Sequence, residues 1–187
     1  MIIGITGTDG AGKGAVVDYL VKEKGFVHYS ARAIWEAEFV KRGIESSRAN
    51  MRLVANEMRA SRGHDFLITY YLAKKETDGI ENAVIESIRA TAEADTLKAN
   101  GGVLLAADAD QSIRYERITA RGSSSDNVSL AEFTKHEALE MNDPDPSGMQ
   151  KAKVMEMADH TIMNEGTFEE LGAQIEEVLE KIGSEDD

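Results

Sequence analysis

Apolar residues along this chain follow two alternating patterns. Short apolar runs are typical of buried strands, whereas longer segments with apolar residues every three or four positions are typical of amphipathic helices. The short runs predict five strands: Ile2–Thr6, Phe26–Ser30, Ala83–Glu86, Val103–Ala107 and His160–Met163. Because helical segments separate these runs, the pattern predicts an α/β fold in which helices cover a parallel sheet.

The helical segments differ in length. The first is predicted from about Gly12 to Lys24, where Gly25 provides a stop signal, and the last covers Phe168–Ile182. Helical character also extends over residues 31–75, which is too long for a simple crossover between two strands. We therefore expect one domain over residues 1–187, with a core of residues 1–30 and 80–187 and an inserted helical lobe of about 31–79.

A glycine-rich segment, Gly7-Thr8-Asp9-Gly10-Ala11-Gly12-Lys13, joins the first strand to the first helix. In this context the glycines let backbone N–H groups point at phosphate, the helix presents its positive end, and Lys13 adds a cation for the β- and γ-phosphates. The segment is thus a candidate phosphate-binding P-loop with Lys13 as a catalytic residue. Its predicted nucleotide contacts are Asp9, Gly10, Ala11, Gly12, Lys13, Gly14 and Ala15.

One feature of this loop is unusual. Most P-loops continue from the lysine into Ser or Thr, whose hydroxyl ligates Mg²⁺, but here Gly14 and Ala15 follow Lys13. Two carboxylates, Glu86 and Asp9, would then contribute more to the metal's surroundings. Glu86 ends the third predicted strand, at the sheet edge where open α/β folds bind ligands, and is the predicted metal residue. A purely structural pairing of Glu86 with nearby Arg89 remains the alternative.

Arginines form two groups in an otherwise acidic chain. Arg114, Arg117 and Arg121 share a helix face after the fourth strand, and we expect Arg117 and Arg121 to be catalytic, closing over the transferring phosphoryl group in a lid of about residues 114–130. Residues Ser123–Asp126 would form its tip. The second group lies on one face of a predicted helix and could receive an anionic acceptor, or could pair with carboxylates. Its members are Arg48, Arg52, Arg59 and Arg62.

With these residues identified, the chain resembles the nucleoside monophosphate kinase and dephospho-CoA kinase branch of P-loop kinases. Asp9–Lys13 resembles the thymidylate kinase loop, and Gly12-Lys13-Gly14 resembles the adenylate kinase loop. The resemblance implies a three-layer P-loop NTPase fold with a five-stranded parallel sheet, an inserted helical acceptor-binding lobe and a short lid. It further implies acceptor-binding roles for Arg32 and Arg89, and nucleotide contacts near the adenine for Asn164 and Gly166; with Arg59, these arginines make up the predicted acceptor site.

We therefore expect an ATP- and Mg²⁺-dependent kinase that transfers the γ-phosphoryl group to a nucleoside or deoxynucleoside monophosphate. Dephospho-CoA is the alternative acceptor, although the chain lacks the Asp-rich segment of those kinases after the second strand. A nucleotide-binding protein without catalysis is a further alternative, because Gly14 and Ala15 offer no hydroxyl. A GTPase-like switch is disfavoured, since no Asn-Lys-x-Asp segment is present to bind guanine.

The amino-acid composition limits the kinds of binding partner that we expect. The 187 residues carry a formal net charge of −13, which disfavours nucleic acid polymers and anionic membranes as partners. The chain has no cysteine and no apolar stretch long enough to cross a bilayer, so we expect a cytoplasmic protein. The four histidines lack the spacing of metal ligands. The expected partners are ATP and a small nucleotide-type acceptor, and the oligomeric state stays open.

Overall fold

The computed structural model describes residues 1–122, 128–144 and 148–185, without the side chains of Arg48 and Glu185. Within these ranges the strands are β1 Ile2–Gly7, β2 Val27–Ser30, β3 Ala83–Glu86, β4 Val103–Asp108 and β5 His160–Met163. The helices are α1 Lys13–Lys24, α2 Ala31–Arg42, α3 Arg48–Arg62, α4 Phe66–Asp78, α5 Thr91–Ala99, α6 Gln111–Arg121, α7 Leu130–Met141, α8 Lys151–Glu156 and α9 Phe168–Glu185.

The strands form one parallel sheet in the order β2-β3-β1-β4-β5. This confirms the predicted α/β fold with a five-stranded parallel sheet. β1 lies in the centre, where Ile5 pairs with Glu86 of β3 and Gly7 pairs with Ala107 of β4. The carboxyl ends of these three strands therefore meet at one edge of the sheet, directly below the glycine-rich loop.

Apolar side chains cover both faces of the sheet, which makes the domain three-layered. On one face, Ile3 and Ile5 pack with Val16 and Leu20 of α1 and with Ile175 of α9. The opposite face packs against the inserted helices and α5. Its larger buried residues are Trp35, Phe39, Phe66, Leu67, Ile85 and Leu97.

Three helices, α2, α3 and α4, lie between β2 and β3, where the sequence predicted an inserted lobe. Trp35 is 5% exposed and its ring meets Phe66 edge-on at 5.6 Å, so it is a packing residue of this lobe. Ser47 caps α3 by accepting a hydrogen bond from the Asn50 amide, and Gly43 ends α2 in the left-handed conformation. These local signals set the lobe's helix ends.

Part of the predicted lid lies outside the described residues. Helix α6 ends at Arg121, and the predicted tip Ser123–Asp126 belongs to the segment that the structure does not describe. Helix α7 follows and packs back on α6 through Phe133, whose ring is 5.7 Å from that of Tyr115. No described helix is both long and apolar enough to span a membrane.

Candidate phosphate-binding site

The loop between β1 and α1 has the conformation that its glycines permit. Gly7, Gly10 and Gly12 all have positive φ, and Gly12 is the N-cap residue of α1. Gly7 also has a steric reason to be glycine, because a Cβ there would lie 2.0 Å from the carbonyl oxygen of Ala107. The backbone turn therefore requires these glycines and directs the loop over the N-terminus of α1.

Lys13 lies inside this loop and is 14% exposed. Its ammonium donates to the carbonyl oxygens of Gly7 at 3.0 Å and Thr8 at 2.7 Å, and it is 3.8 Å from the carboxylate of Asp9. Burial lowers the pKa of Lys13 to about 7, while Asp9 acts in the opposite direction. Lys13 is thus a desolvated cation held by weak neutral acceptors, which a phosphate group can replace.

Asp9 is held at both its side chain and its backbone. Lys151, the first residue of α8, donates to the Asp9 carboxylate at 3.0 Å. Arg114 of α6 donates to the Asp9 carbonyl at 3.2 Å and pairs with Glu137 of α7. Both cations are buried, with Lys151 1% and Arg114 6% exposed. The top of the loop is therefore fixed by cations from two helices distant in sequence.

The far side of the loop is held by Asn164, which follows β5. Its side-chain amide donates to the Ala11 carbonyl at 2.8 Å, and its own carbonyl accepts a hydrogen bond of 2.8 Å from Arg117. A Cβ at Gly12 would lie 2.1 Å from this amide nitrogen. In this structure Asn164 and Arg117 therefore connect the loop, α6 and the segment after β5.

Gly166 lies just before α9, and Arg121 is the last residue of α6. A Cβ at Gly166 would overlap the Glu170 carboxylate, which caps α9 by accepting from the Thr167 amide at 2.7 Å. Gly166 is thus required by the start of α9. Arg121 is exposed in the last turn of α6, one helical turn beyond Arg117.

Glu86 lies at the sheet edge beside the loop. Its carboxylate accepts a hydrogen bond from Ser30 at 3.0 Å and lies 3.4 Å from the imidazole of His28. The contact with His28 is the largest cause that lowers the pKa of Glu86, and Ser30 and Lys13 act in the same direction. Glu86 is therefore an ionised carboxylate at neutral pH.

Arg89 follows Glu86 and lies close to the same edge. Its guanidinium is 3.5 Å from the Glu140 carboxylate, whose same oxygen accepts from Lys151 at 2.8 Å. The Arg89 amide donates to Glu93 at 2.8 Å, which fixes the backbone at this position. An unbroken chain of charged contacts thus runs from Arg89 through Glu140 and Lys151 to Asp9.

Two predicted acceptor arginines are placed differently. Arg59 is 2% exposed and donates to the fully buried Glu93 at 3.0 Å, with its guanidinium 5.9 Å from the Trp35 ring. The head group of Arg59 thus lies in an internal ion pair, and its predicted acceptor role would require that pair to open. Arg32 is 65% exposed and pairs with Glu36 one turn along α2.

The predicted cationic face of α3 is also only partly present. Arg52 lies 4.0 Å from the buried carboxylate of Asp143, and Arg62 lies against the Phe66 ring. The side chain of Arg48 lies outside the described part of the chain. With Arg59 buried, the arginines of α3 do not form one continuous open surface.

This chain matches known proteins over most of its length. A family model described as an AAA domain matches residues 3–145, which include the loop, the inserted helices and α6. A UPF0200 protein of Pyrobaculum aerophilum is 30% identical over 181 residues, covering 95% of this chain and 96% of that protein. A UPF0200 protein of Methanothrix thermoacetophila is 31% identical and covers 97% of each chain. This chain belongs to the AAA domain and UPF0200 families.

Solved structures resemble this UPF0200 chain in fold. A shikimate kinase from Aquifex aeolicus is similar with a TM-score of 0.53 and 18% identity, and the match covers 97% of both chains. The protein TT1252 from Thermus thermophilus is similar with a TM-score of 0.57 and 22% identity over 97% of both chains. Together with the loop geometry, this likeness gives the UPF0200 chain a kinase-like P-loop NTPase fold.

Several residues that shape the UPF0200 site were not predicted from its sequence. Lys151 and Glu140 had no motif to single them out, because a charged residue on a short amphipathic segment is usually solvated. Glu93 occupies the first turn of α5, where glutamate commonly caps a helix. Arg114 was grouped with Arg117 and Arg121 but given no role of its own, and it is buried against the loop.

The described residues of the UPF0200 chain contain no cluster of three or more His, Cys, Asp or Glu side chains placed to hold a metal ion. Mg²⁺ does not require such a cluster, because it commonly takes one or two carboxylates and completes its shell with water and substrate phosphates. Glu86, ionised and close to the loop, is compatible with that mode of binding. The Asp9 carboxylate is already engaged by Lys151.

Proposed function

We propose that this protein is an ATP-dependent kinase that transfers the γ-phosphoryl group to a small nucleotide-type acceptor. One observation carries the proposal: Lys13 lies close enough to both Glu86 and Arg89, at the carboxyl edge of the sheet, to interact with their charges. Glu86 pairs in register with Ile5 of β1, and the Ile88 amide donates to the Ile5 carbonyl at 3.1 Å. A cation for donor phosphates, a carboxylate and an acceptor-type arginine are thereby fixed to the same central strand.

On the donor side, Lys13 and the loop amides would hold the β- and γ-phosphates of ATP. The weak carbonyl acceptors that Lys13 now contacts are replaceable by phosphate oxygens, and its low pKa reflects a desolvated position where a phosphate charge is strongly felt. Glu86 would hold Mg²⁺ together with phosphate oxygens and water, and the ion would neutralise charge on the phosphates when bound.

Arg117 and Arg121 would act on the transferring group. Charge in phosphoryl transfer spreads over the equatorial oxygens, so positioned cations accelerate the reaction. Arg117 is anchored to the Asn164 carbonyl, whereas Arg121 extends from the exposed end of α6. We assign Arg121 to transition-state stabilisation and Arg117 to closing α6 against the donor site.

On the acceptor side, Arg89 would bind an anionic group of the acceptor. Its planar guanidinium suits bidentate contact with a phosphate. A pocket of about 250 Å³ lies beside the backbone that follows Arg89, and we propose that it holds part of the acceptor. It is lined by His64, Ala90, Thr91, Ala92, Gly148 and Gln150. A nucleoside or deoxynucleoside monophosphate is the proposed acceptor, with dephospho-CoA as the alternative, and Arg32 would contact it only after leaving Glu36.

A second candidate is ATP binding without phosphoryl transfer. It is favoured by the absence of a hydroxyl after Lys13, since Gly14 and Ala15 supply none. The two candidates share the donor site and differ only in turnover.

The test is an ADP-release assay with Mg²⁺ and ATP against a panel of ribo- and deoxynucleoside monophosphates and dephospho-CoA. We expect at least one acceptor to raise ADP release well above the acceptor-free rate, and Lys13→Ala to abolish this increase. If no acceptor does so while the wild-type protein still binds ATP, the second candidate replaces the first.

A further inference from the structure

Lys151 is a lysine that no motif assigns to the site, yet its side chain is 1% exposed. Burying an ammonium is costly unless carboxylates compensate it. Two do so here, with Asp9 at 3.0 Å and Glu140 at 2.8 Å. Two carboxylates therefore hold a buried cation at the top of the phosphate-binding loop, where it can influence the loop's own charged residues.

The Asp9 carboxylate is shared between two lysines. The same Oδ1 atom lies 3.0 Å from Lys151 and 3.8 Å from Lys13. A carboxylate drawn close to Lys13 competes with a donor phosphate for its ammonium, so a closer Asp9 would weaken phosphate binding. The nearer lysine, Lys151, therefore weakens the hold of Asp9 on Lys13.

We propose that Lys151 is a positioning residue that holds Asp9 and thereby keeps Lys13 available to the phosphates of ATP. Through Glu140, whose Oε2 also lies 3.5 Å from Arg89, Lys151 joins the donor loop to the acceptor-side arginine. The inference rests on the donor half of the proposed function and deepens it, since it names the residue that sets the state of Lys13.

Removal of Lys151 gives the first test. In Lys151→Met, Asp9 turns to Lys13, and we expect ATP to bind about tenfold more weakly, as for loss of one charged hydrogen bond. Binding is measured by titration calorimetry at about pH 6, where Lys13 is mostly charged, with Mg²⁺ and a non-hydrolysable ATP analogue, and folding is checked by thermal unfolding. Loss of a positive charge near the site could lower affinity by itself, so matched double variants are needed.

Two double variants restore the same net charge. Lys151→Met with Asp9→Asn removes the carboxylate that captures Lys13, and we expect affinity to return to within about threefold of wild type. Lys151→Met with Glu140→Gln leaves Asp9 charged, and we expect affinity to stay about tenfold below wild type. The two doubles balance the buried charge and remain comparable even if the single variant does not fold.

The outcomes separate the hypotheses. Rescue by Asp9→Asn and not by Glu140→Gln supports the positioning role of Lys151. Equal rescue by both, or wild-type affinity in every variant, overturns it and leaves the proposed kinase function intact. If the wild-type protein binds no ATP analogue, the proposed function itself fails, and the inference fails with it.

Discussion

The phosphate-binding loop and the proposed acceptor side of this protein both carry cationic side chains but pair them differently. Lys13 in the loop contacts two backbone carbonyls and stands 3.8 Å from its nearest carboxylate contact, Asp9. On the acceptor side, Arg59 is locked to a buried carboxylate and Arg32 to an exposed one. A cation held by neutral acceptors is ready for an anionic ligand, whereas one already paired must first lose its partner.

Substitutions of Arg59 and Arg32 give the largest expected difference, which is in the free energy of unfolding. Arg59→Met removes the cationic partner of the buried Glu93 and leaves it only backbone amide donors, and we expect the free energy of unfolding to fall by about 3 kcal/mol. Arg32→Met removes an exposed pair and should change it by less than about 1 kcal/mol. Urea unfolding of both variants measures this difference, and equal small effects would contradict the internal role assigned to Arg59.

Proton uptake on ATP binding tests whether Lys13 is neutral or charged in the free protein. Its pKa of about 7 leaves it mostly neutral at pH 8 in the free protein. We expect bound phosphates to raise that pKa, because a nearby negative charge favours the ammonium form. ATP binding at pH 8 should therefore take up roughly 0.9 proton, against roughly 0.1 at pH 6. Because binding requires the charged form, affinity falls as pH rises above about 7.

The measurement is calorimetry with MgATP in two buffers of different ionisation enthalpy. The groups that act on Lys13 are Asp9, Glu140, Lys151 and Arg89, and Glu86 also interacts with it. Uptake that is equally small at both pH values would show that Lys13 is already charged before ATP arrives.

Arg121 tests the assignment of roles within α6. We expect Arg121→Ala to lower kcat about tenfold and to change ATP affinity by less than about twofold, because its proposed role is confined to the transition state. Arg117→Ala is the matched comparison, and it should weaken ATP binding as well, since Arg117 holds Asn164 and through it the loop. Equal losses of kcat and affinity in Arg121→Ala would remove that residue from the catalytic role.

Substitution of Gly14 tests whether the missing hydroxyl limits the reaction, and its expected effect on kcat is the smallest. A Cβ at this position meets nothing within 4 Å and its φ is not positive, so serine fits the backbone and the space. We expect Gly14→Ser to raise kcat by about threefold and to lower the Mg²⁺ concentration needed, because a hydroxyl here commonly ligates the ion. Gly14→Ala is the control, and equal behaviour of the two variants would show that the hydroxyl is not limiting.

The donor loop could be predicted from sequence because glycine positions and the strand-loop-helix context directly determine a backbone conformation. The strands were predicted for the same local reason, and their ends differ from the structure by one residue at Gly7, Val27 and Asp108. The pairing of buried charges could not be predicted in this way. Lys151 meets Asp9 across 142 positions of the chain, so only the fold brings them together.

The arginines illustrate the same limit. On a helical wheel Arg59 shares a face with Arg52 and Arg62, but the buried position of Glu93 at the start of α5 decides where its guanidinium goes. Arg114 similarly reaches the loop because Glu137 of α7 packs against it. Helical spacing predicts which residues share a face, whereas the partner that neutralises each charge comes from elsewhere in the fold.

The most direct test of the central claim is ³¹P NMR of the wild-type protein with Mg²⁺, ATP and the acceptor chosen by the ADP-release assay. We predict that the γ-phosphate signal of ATP declines while a new phosphoryl signal of the acceptor product grows at the same rate, and that Lys13→Ala shows neither change. Conversion of ATP to ADP and inorganic phosphate alone, or bound ATP with no turnover, would contradict phosphoryl transfer to a nucleotide-type acceptor.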